Sequence, residues 1–106
     1  MRLSAILAAA TVSSALAPAN ASAEKVTLIC QNFRREYLVE YDSNLRTLTL
    51  DGETNYKILA VEKAPERHVI AGLTVEGGPT FQLHLHPYRK MDFFSGDSLE
   101  QTDGCR

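Results

Sequence analysis

Apolar and polar residues alternate along most of the chain after residue 24, and turn residues interrupt the alternation at intervals of about ten residues. Strict alternation is typical of β-strands, because successive side chains point to opposite faces. The alternating segments cover residues 26–31, 37–41, 45–50, 56–61, 69–75, 81–85, 91–94 and 99–105. Helical periodicity is limited to a single turn over residues 98–101. The pattern therefore predicts an all-β domain, an antiparallel meander of seven to eight strands.

Turn residues separate these segments and suggest how neighbouring strands align. Asp51-Gly52 is a strong hairpin signal. Farther along, we expect Val69, Ala71, Leu73 and Val75 to face the same core as Phe81, Leu83 and Leu85. That register leaves a three-residue loop, Glu76-Gly77-Gly78, and it places His68 directly across from His86.

Two cysteines, Cys30 and Cys105, lie in the first and last predicted strands. An even count in a small exported domain indicates a disulfide, with two free thiols or a redox pair as alternatives. A disulfide holds its Cα atoms about 4.4–6.8 Å apart, so this one joins the two ends of the meander. We therefore predict a closed barrel, with a two-sheet sandwich as the alternative.

The first 23 residues differ in character from the rest. A basic start, the apolar and alanine-rich stretch Leu3–Leu16, and Ala21-Ser22-Ala23 indicate a secretory signal peptide that is cleaved. A retained anchor and a lipidated Cys30 are the weaker alternatives. Residues 24–106 then form a single β-barrel-like domain with 13 acidic and 10 Lys or Arg residues, a formal charge of 10 − 13 = −3. Export predicts a periplasmic or secreted protein with no membrane segment after cleavage.

The three histidines are the chemically interesting group in the sequence. His84 and His86 are two apart on one strand and share a face, and the expected register adds His68 beside them. Three imidazoles within reach of one another suit zinc or copper. One hypothesis is therefore a surface metal site formed by His68, His84 and His86. The alternative is that the three are ordinary surface histidines.

Other chemistry finds less support in the sequence. No nucleophile motif or zinc-protease motif is present, so we predict no enzyme and no cofactor. The acidic balance argues against nucleic acid as a partner. Tyr88 and Arg89 lie at a predicted hairpin tip, and Tyr and Arg are enriched at interface hot spots. These two residues are candidate partner-binding residues.

Part of the chain resembles the small exported bacterial lysozyme inhibitors, the MliC/PliC-like family. The similarity runs from Val26-Thr27-Leu28-Ile29-Cys30 through Tyr41-Asp42 and Leu48-Thr49-Leu50-Asp51-Gly52 to Tyr56-Lys57-Ile58. It implies export, a small eight-stranded barrel and a cysteine in the first strand bonded to one at the far end. The family's inhibitory segments are not matched, because the corresponding residues here are Lys63–Val69 and Glu76–Gly78.

Together these features predict an exported, non-catalytic and monomeric binding module whose partner is another protein. The most specific form of this prediction is a periplasmic inhibitor of a lysozyme-type hydrolase. The alternatives are a periplasmic metal-binding protein that uses surface histidines and a secreted protein directed at a host.

Overall fold

The structure is a computed structural model and describes residues 24–106. The predicted signal peptide, residues 1–23, lies outside the described residues. Eight strands follow one another along the chain: β1 (Lys25–Gln31), β2 (Glu36–Asp42), β3 (Thr47–Leu50), β4 (Thr54–Ala64), β5 (Arg67–Leu73), β6 (Thr80–His86), β7 (Lys90–Ser95) and β8 (Ser98–Cys105). The predicted helical turn over residues 98–101 is wrong, since these residues belong to β8.

All neighbouring strands pair antiparallel in chain order, and β8 returns to β1 to close a barrel. The predicted all-β meander and its closure are confirmed, so the sandwich alternative is wrong. The closing seam is short. Only Cys30 with Cys105 and Gln31 with Gly104 pair along it, and backbone hydrogen bonds of 2.9 Å in both directions between Ile29 and Arg106 extend it.

The predicted disulfide joins Cys30 to Cys105 at this seam. The two Cα atoms lie 4.0 Å apart, because the residues are direct partners on adjacent strands. Cys30 is fully buried. The disulfide therefore links β1 and β8, the two strands with the shortest pairing in the barrel, and its Cys30 side lies in the interior.

The barrel interior is filled by one side-chain set from each alternating segment. Successive residues of a strand point alternately in and out, so the apolar set of each strand collects inside. The core cluster consists of Leu28, Cys30, Tyr37, Val39, Tyr41, Leu48, Ile58, Ile70, Phe81, Leu83 and Met91. For β1, β2 and β6 these are the residues that the alternation predicts.

The predicted inward face of β5 is wrong. Ile70 is fully buried in the core, and it pairs with Leu83, whereas Val69 pairs with His84. The register shifts between His68 and Val69, because Leu85 is an extra residue on β6 that has no partner on β5. The loop between the strands also runs from residue 74 to 79, not over three residues. The bulge and the longer loop together turn Val69, Ala71 and Leu73 to the outer face.

A close approach between β4 and β5 depends on Gly72. Gly72 pairs with Ile58, next to a second irregularity between Ile58 and Ala60. A Cβ atom at position 72 would lie 1.9 Å from the backbone oxygen of Lys57. Only glycine leaves room for the neighbouring backbone at this point.

Candidate functional site

The structure separates the three histidines that the sequence placed together. His68 does lie opposite His86, as predicted, but His84 lies opposite Val69. The bulge at Leu85 thus changes the register between His86 and His84. Among residues 24–106, no group of three or more His, Cys, Asp or Glu side chains is arranged to hold a metal ion.

His84 belongs to a polar cluster on the outer face. Its Nε2 lies 3.3 Å from Oδ2 of Asp92, whose other oxygen accepts a 2.7 Å hydrogen bond from Oγ1 of Thr102. Lys90 lies 3.4 Å from the same carboxylate. The Nε2 atom of His84 is buried, and Asp92 is the polar group beside it. Burial lowers the pKa of His84, and Asp92 partly opposes that effect.

His68 is at one end of the barrel among charged side chains. It is buried, whereas its partner His86 is exposed. Burial lowers the pKa of His68, the charge of Glu24 raises it, and Lys63 lowers it. Glu24 and Lys63 themselves lie 3.4 Å apart as an ion pair. These contacts account for His68 as a structural residue that stays neutral near pH 7.

The loop between β1 and β2 displays an aromatic and a cationic side chain on a rigid turn. The side chain of Asn32 accepts hydrogen bonds of 2.7 and 2.8 Å from the backbone N–H groups of Arg34 and Arg35. Arg35 is also tied to Asp51 by an ion pair of 2.9 Å. Phe33 is 86% exposed, and the Arg34 guanidinium lies 5.4 Å from the centre of its ring. The turn therefore holds Phe33 and Arg34 in water in a fixed arrangement.

The loop between β6 and β7 presents the residues that the sequence singled out for partner binding. Tyr88 is 76% exposed. The backbone oxygen of Arg89 accepts a 3.1 Å hydrogen bond from Cys105, which anchors the loop to the disulfide. Within residues 24–106, the Arg89 guanidinium has no ion pair or hydrogen bond. Tyr88 and Arg89 are thus exposed and available for contact.

A shallow hollow of about 420 Å³ connects the two loops. Its lining comprises Gln31, Asn32, Arg89, Gly104, Cys105 and Arg106. Phe33 follows one of these lining residues in the chain, and Tyr88 precedes another. We call the surface formed by Phe33, Arg34, Tyr88, Arg89 and Arg106 the loop face.

The loop face is cationic although the domain as a whole is acidic. It carries three guanidinium groups, of which Arg106 is paired with Glu36 at 2.8 Å. Arg34 and Arg89 have no acidic partner among the described residues. Two exposed aromatic rings beside uncompensated arginines match the composition of protein-interface hot spots.

Sequence reasoning found only part of this surface. Tyr88 and Arg89 follow from their place at a predicted hairpin tip, whereas the sequence pattern does not single out Phe33 and Arg34. The available signal was Asn32 followed by Phe33, because an Asx turn exposes the side chain that follows it. Arg106 joins this surface through its backbone hydrogen bonds to Ile29 and its ion pair with Glu36, contacts that the predicted disulfide does not specify.

A second recess opens at the end of the barrel where β4 begins. We call it the mouth cavity; it measures about 340 Å³ and is lined by Tyr56, Thr74, Pro79, Phe93, Glu100 and Gln101. The Tyr56 ring is held against Phe81, with ring centres 5.2 Å apart. The lining residue Gln101 donates a hydrogen bond to the buried carboxyl group of Asp103, which also accepts one from Tyr37.

Comparison with known proteins adds no assignment. No protein-family model, curated protein or solved structure matches this chain. Within the part of the chain that the structure describes, no helix is long and apolar enough to cross a membrane.

Proposed function

We propose that the protein is an exported, non-catalytic binding module that recognises another protein through its loop face. The observation that carries this proposal is the pairing of an exposed Tyr88 with an unpaired Arg89 beside the hollow. The disulfide at the barrel seam supports export, because disulfides persist in oxidising compartments.

The charge of the loop face indicates the kind of partner. Uncompensated guanidinium groups favour a partner surface that carries carboxylates, and Arg binds carboxylates through two parallel hydrogen bonds. Glycoside hydrolases place two carboxyl groups on either side of the scissile bond, inside a cleft. A protruding Tyr88-Arg89 pair suits such a cleft. A lysozyme-type hydrolase is therefore the partner that we propose, with the protein acting as its inhibitor.

The loop face is already ordered before binding, which supports a binding role. Asn32 fixes the first loop through two backbone hydrogen bonds, and Cys105 anchors the second. An ordered loop loses less conformational entropy when it binds, so more of the contact energy appears as affinity.

A cell-wall lysis assay with C-type lysozyme tests the proposal. We expect an excess of the disulfide-bonded domain to slow lysis, and we expect Tyr88→Ala and Arg89→Gln each to weaken inhibition by at least tenfold, as interface hot spots do. Leu45→Ala, on the turn between β2 and β3, and Arg67→Gln, at the exposed start of β5, are the controls, because each removes an exposed side chain or charge outside the loop face.

Gly104 allows an independent test of the hollow. A Cβ at this position meets nothing within 4 Å, so a larger side chain enters the hollow without disturbing the barrel. Gly104→Glu should abolish inhibition, whereas Gly104→Ala should preserve it. Full lysozyme activity in the presence of excess protein would overturn inhibition as the function.

A further inference from the structure

The mouth cavity lies apart from the loop face and shares no lining residue with the hollow. We propose that it is a binding site for a small organic ammonium ion with an apolar body. Three features support this proposal: the shape of the cavity, the polarity of its walls and the acidic groups at it, Glu100 in the lining and Asp103 bonded to the lining residue Gln101.

The cavity is preformed by rigid parts of the fold. Tyr56 packs against Phe81, and Phe93 packs against the core cluster. On the opposite rim, Thr74 donates two hydrogen bonds to the backbone oxygen of Pro79, at 3.0 Å from its N–H and 2.7 Å from its hydroxyl. The volume of about 340 Å³ is within the range of small-ligand pockets, which begins at roughly 300 Å³.

The polar groups at the cavity mainly accept hydrogen bonds. The Gln101 amide nitrogen donates to both oxygens of Asp103, at 2.8 and 3.0 Å, which leaves the amide oxygen as the free group. Glu100 contributes a carboxylate, and the Thr74 hydroxyl hydrogen is already used. A ligand that fits these walls must therefore donate hydrogen bonds.

The electrostatics favour a positive charge on that donor. Asp103 is 2% exposed, and within residues 24–106 no Lys, Arg or His contacts its carboxylate. None of the six lining residues is basic. The carboxylate of the lining residue Glu100 attracts a cation, and the aromatic rings of Tyr56 and Phe93 favour a cation that packs against them. An ammonium group meets both conditions, whereas a neutral alcohol meets neither.

Three probes of the same shape and different charge test the proposal. Benzylammonium, benzyl alcohol and benzoate are titrated into the disulfide-bonded domain, and backbone amide shifts are followed by NMR. We expect saturable shifts around Tyr56, Phe93 and Gln101 with benzylammonium. We expect its affinity to exceed that of benzyl alcohol by at least tenfold, and we expect no saturation with benzoate.

Charge-neutral variants show whether the cavity itself is responsible. Glu100→Gln, at an exposed position, should weaken benzylammonium binding by about fivefold to tenfold, the effect of one solvent-exposed charge at close range. Glu76→Gln removes the same charge beside the neighbouring hollow of Lys57 and Val75, and it should leave the affinity unchanged. Equal affinity for benzylammonium and benzyl alcohol, equal effects of the two variants, or shifts confined to residues outside the cavity would each overturn the proposal.

Discussion

The hydroxyl of Tyr37 donates a 2.5 Å hydrogen bond to Oδ2 of Asp103 inside the barrel, although the residues are 66 positions apart. The bond joins β2 to β8 across β1, the strand that lies between them and carries Cys30. Gln101 completes the network by donating to both Asp103 oxygens. The hydrogen-bonding capacity of a carboxyl group in the core is thus satisfied by neutral donors from two strands.

Removal of the Tyr37 hydroxyl should destabilise the barrel. In Tyr37→Phe, the Asp103 carboxylate loses a donor that water cannot replace, at a cost of about 1–3 kcal/mol. Urea unfolding at neutral pH measures this loss. Tyr88→Phe is the control. Its hydroxyl lies on an exposed side chain, so its removal should change the free energy of unfolding by less than about 0.5 kcal/mol. Equal losses in the two variants would contradict the role assigned to the network.

Alkaline pH should weaken the fold through its buried tyrosines. Burial raises the pKa of Tyr37, and the hydrogen bond to Asp103 raises it further; burial also raises the pKa of Tyr41 and Tyr56. The folded state then holds protons that the unfolded state releases above about pH 10. Stability is therefore fully present below that pH and falls as pH rises above it. The urea midpoint should decline above about pH 10 in the parent protein, and more gently in Tyr37→Phe.

Acid should weaken the fold in a separate window. Burial lowers the pKa of both His68 and His84, so the unfolded state takes up protons first as pH falls. Their contribution is complete above about pH 6.5 and is lost as pH falls below it. A His68→Gln/His84→Gln double variant should show a flatter dependence of the urea midpoint between about pH 5 and 6.5. An unchanged slope in that window would exclude these histidines as its cause.

The two glycines Gly72 and Gly104 should respond oppositely to alanine. Gly72→Ala drives a methyl group into the Lys57 backbone oxygen at 1.9 Å, and overpacking of this kind costs about 1–3 kcal/mol or more. Gly104→Ala places its methyl group in open space and should change stability by less than about 0.5 kcal/mol. Thermal unfolding of the Gly72→Ala and Gly104→Ala variants measures both changes in stability. A Gly72→Ala variant as stable as the parent would mean that β4 shifts away freely.

The parts of the fold that follow from local pattern were predictable. Alternation located all eight strands, and Cys30 with Cys105 identified which strands meet at the closure. The bulge at Leu85 was not predictable, because its neighbours alternate in sequence as a regular strand does. One extra residue changes the register beyond it by one position, so the predicted inward face of β5 was wrong.

The candidate sites were predictable only where one segment carries them. Tyr88 and Arg89 follow from a single hairpin tip, whereas the hollow beside them needs residues from both ends of the chain. Asp103 also left a signal, since it alternates with Cys105 and therefore points inward with it. A lone inward carboxylate indicates a polar network, but its partner Tyr37 is visible only after closure.

The short seam gives the barrel a dependence on its chemical surroundings. Six residue pairs hold β8 to β7, but only two hold it to β1, and one of those two is the disulfide pair itself. Closing a loop of 75 residues covalently stabilises a fold by about 4–5 kcal/mol in the chain-entropy model. Under reducing conditions the pairing between the first and last strands is therefore short and has no covalent support, so the closed barrel is less stable. Oxidation joins the two strands covalently and stabilises the barrel wall that carries the loop face and the mouth cavity.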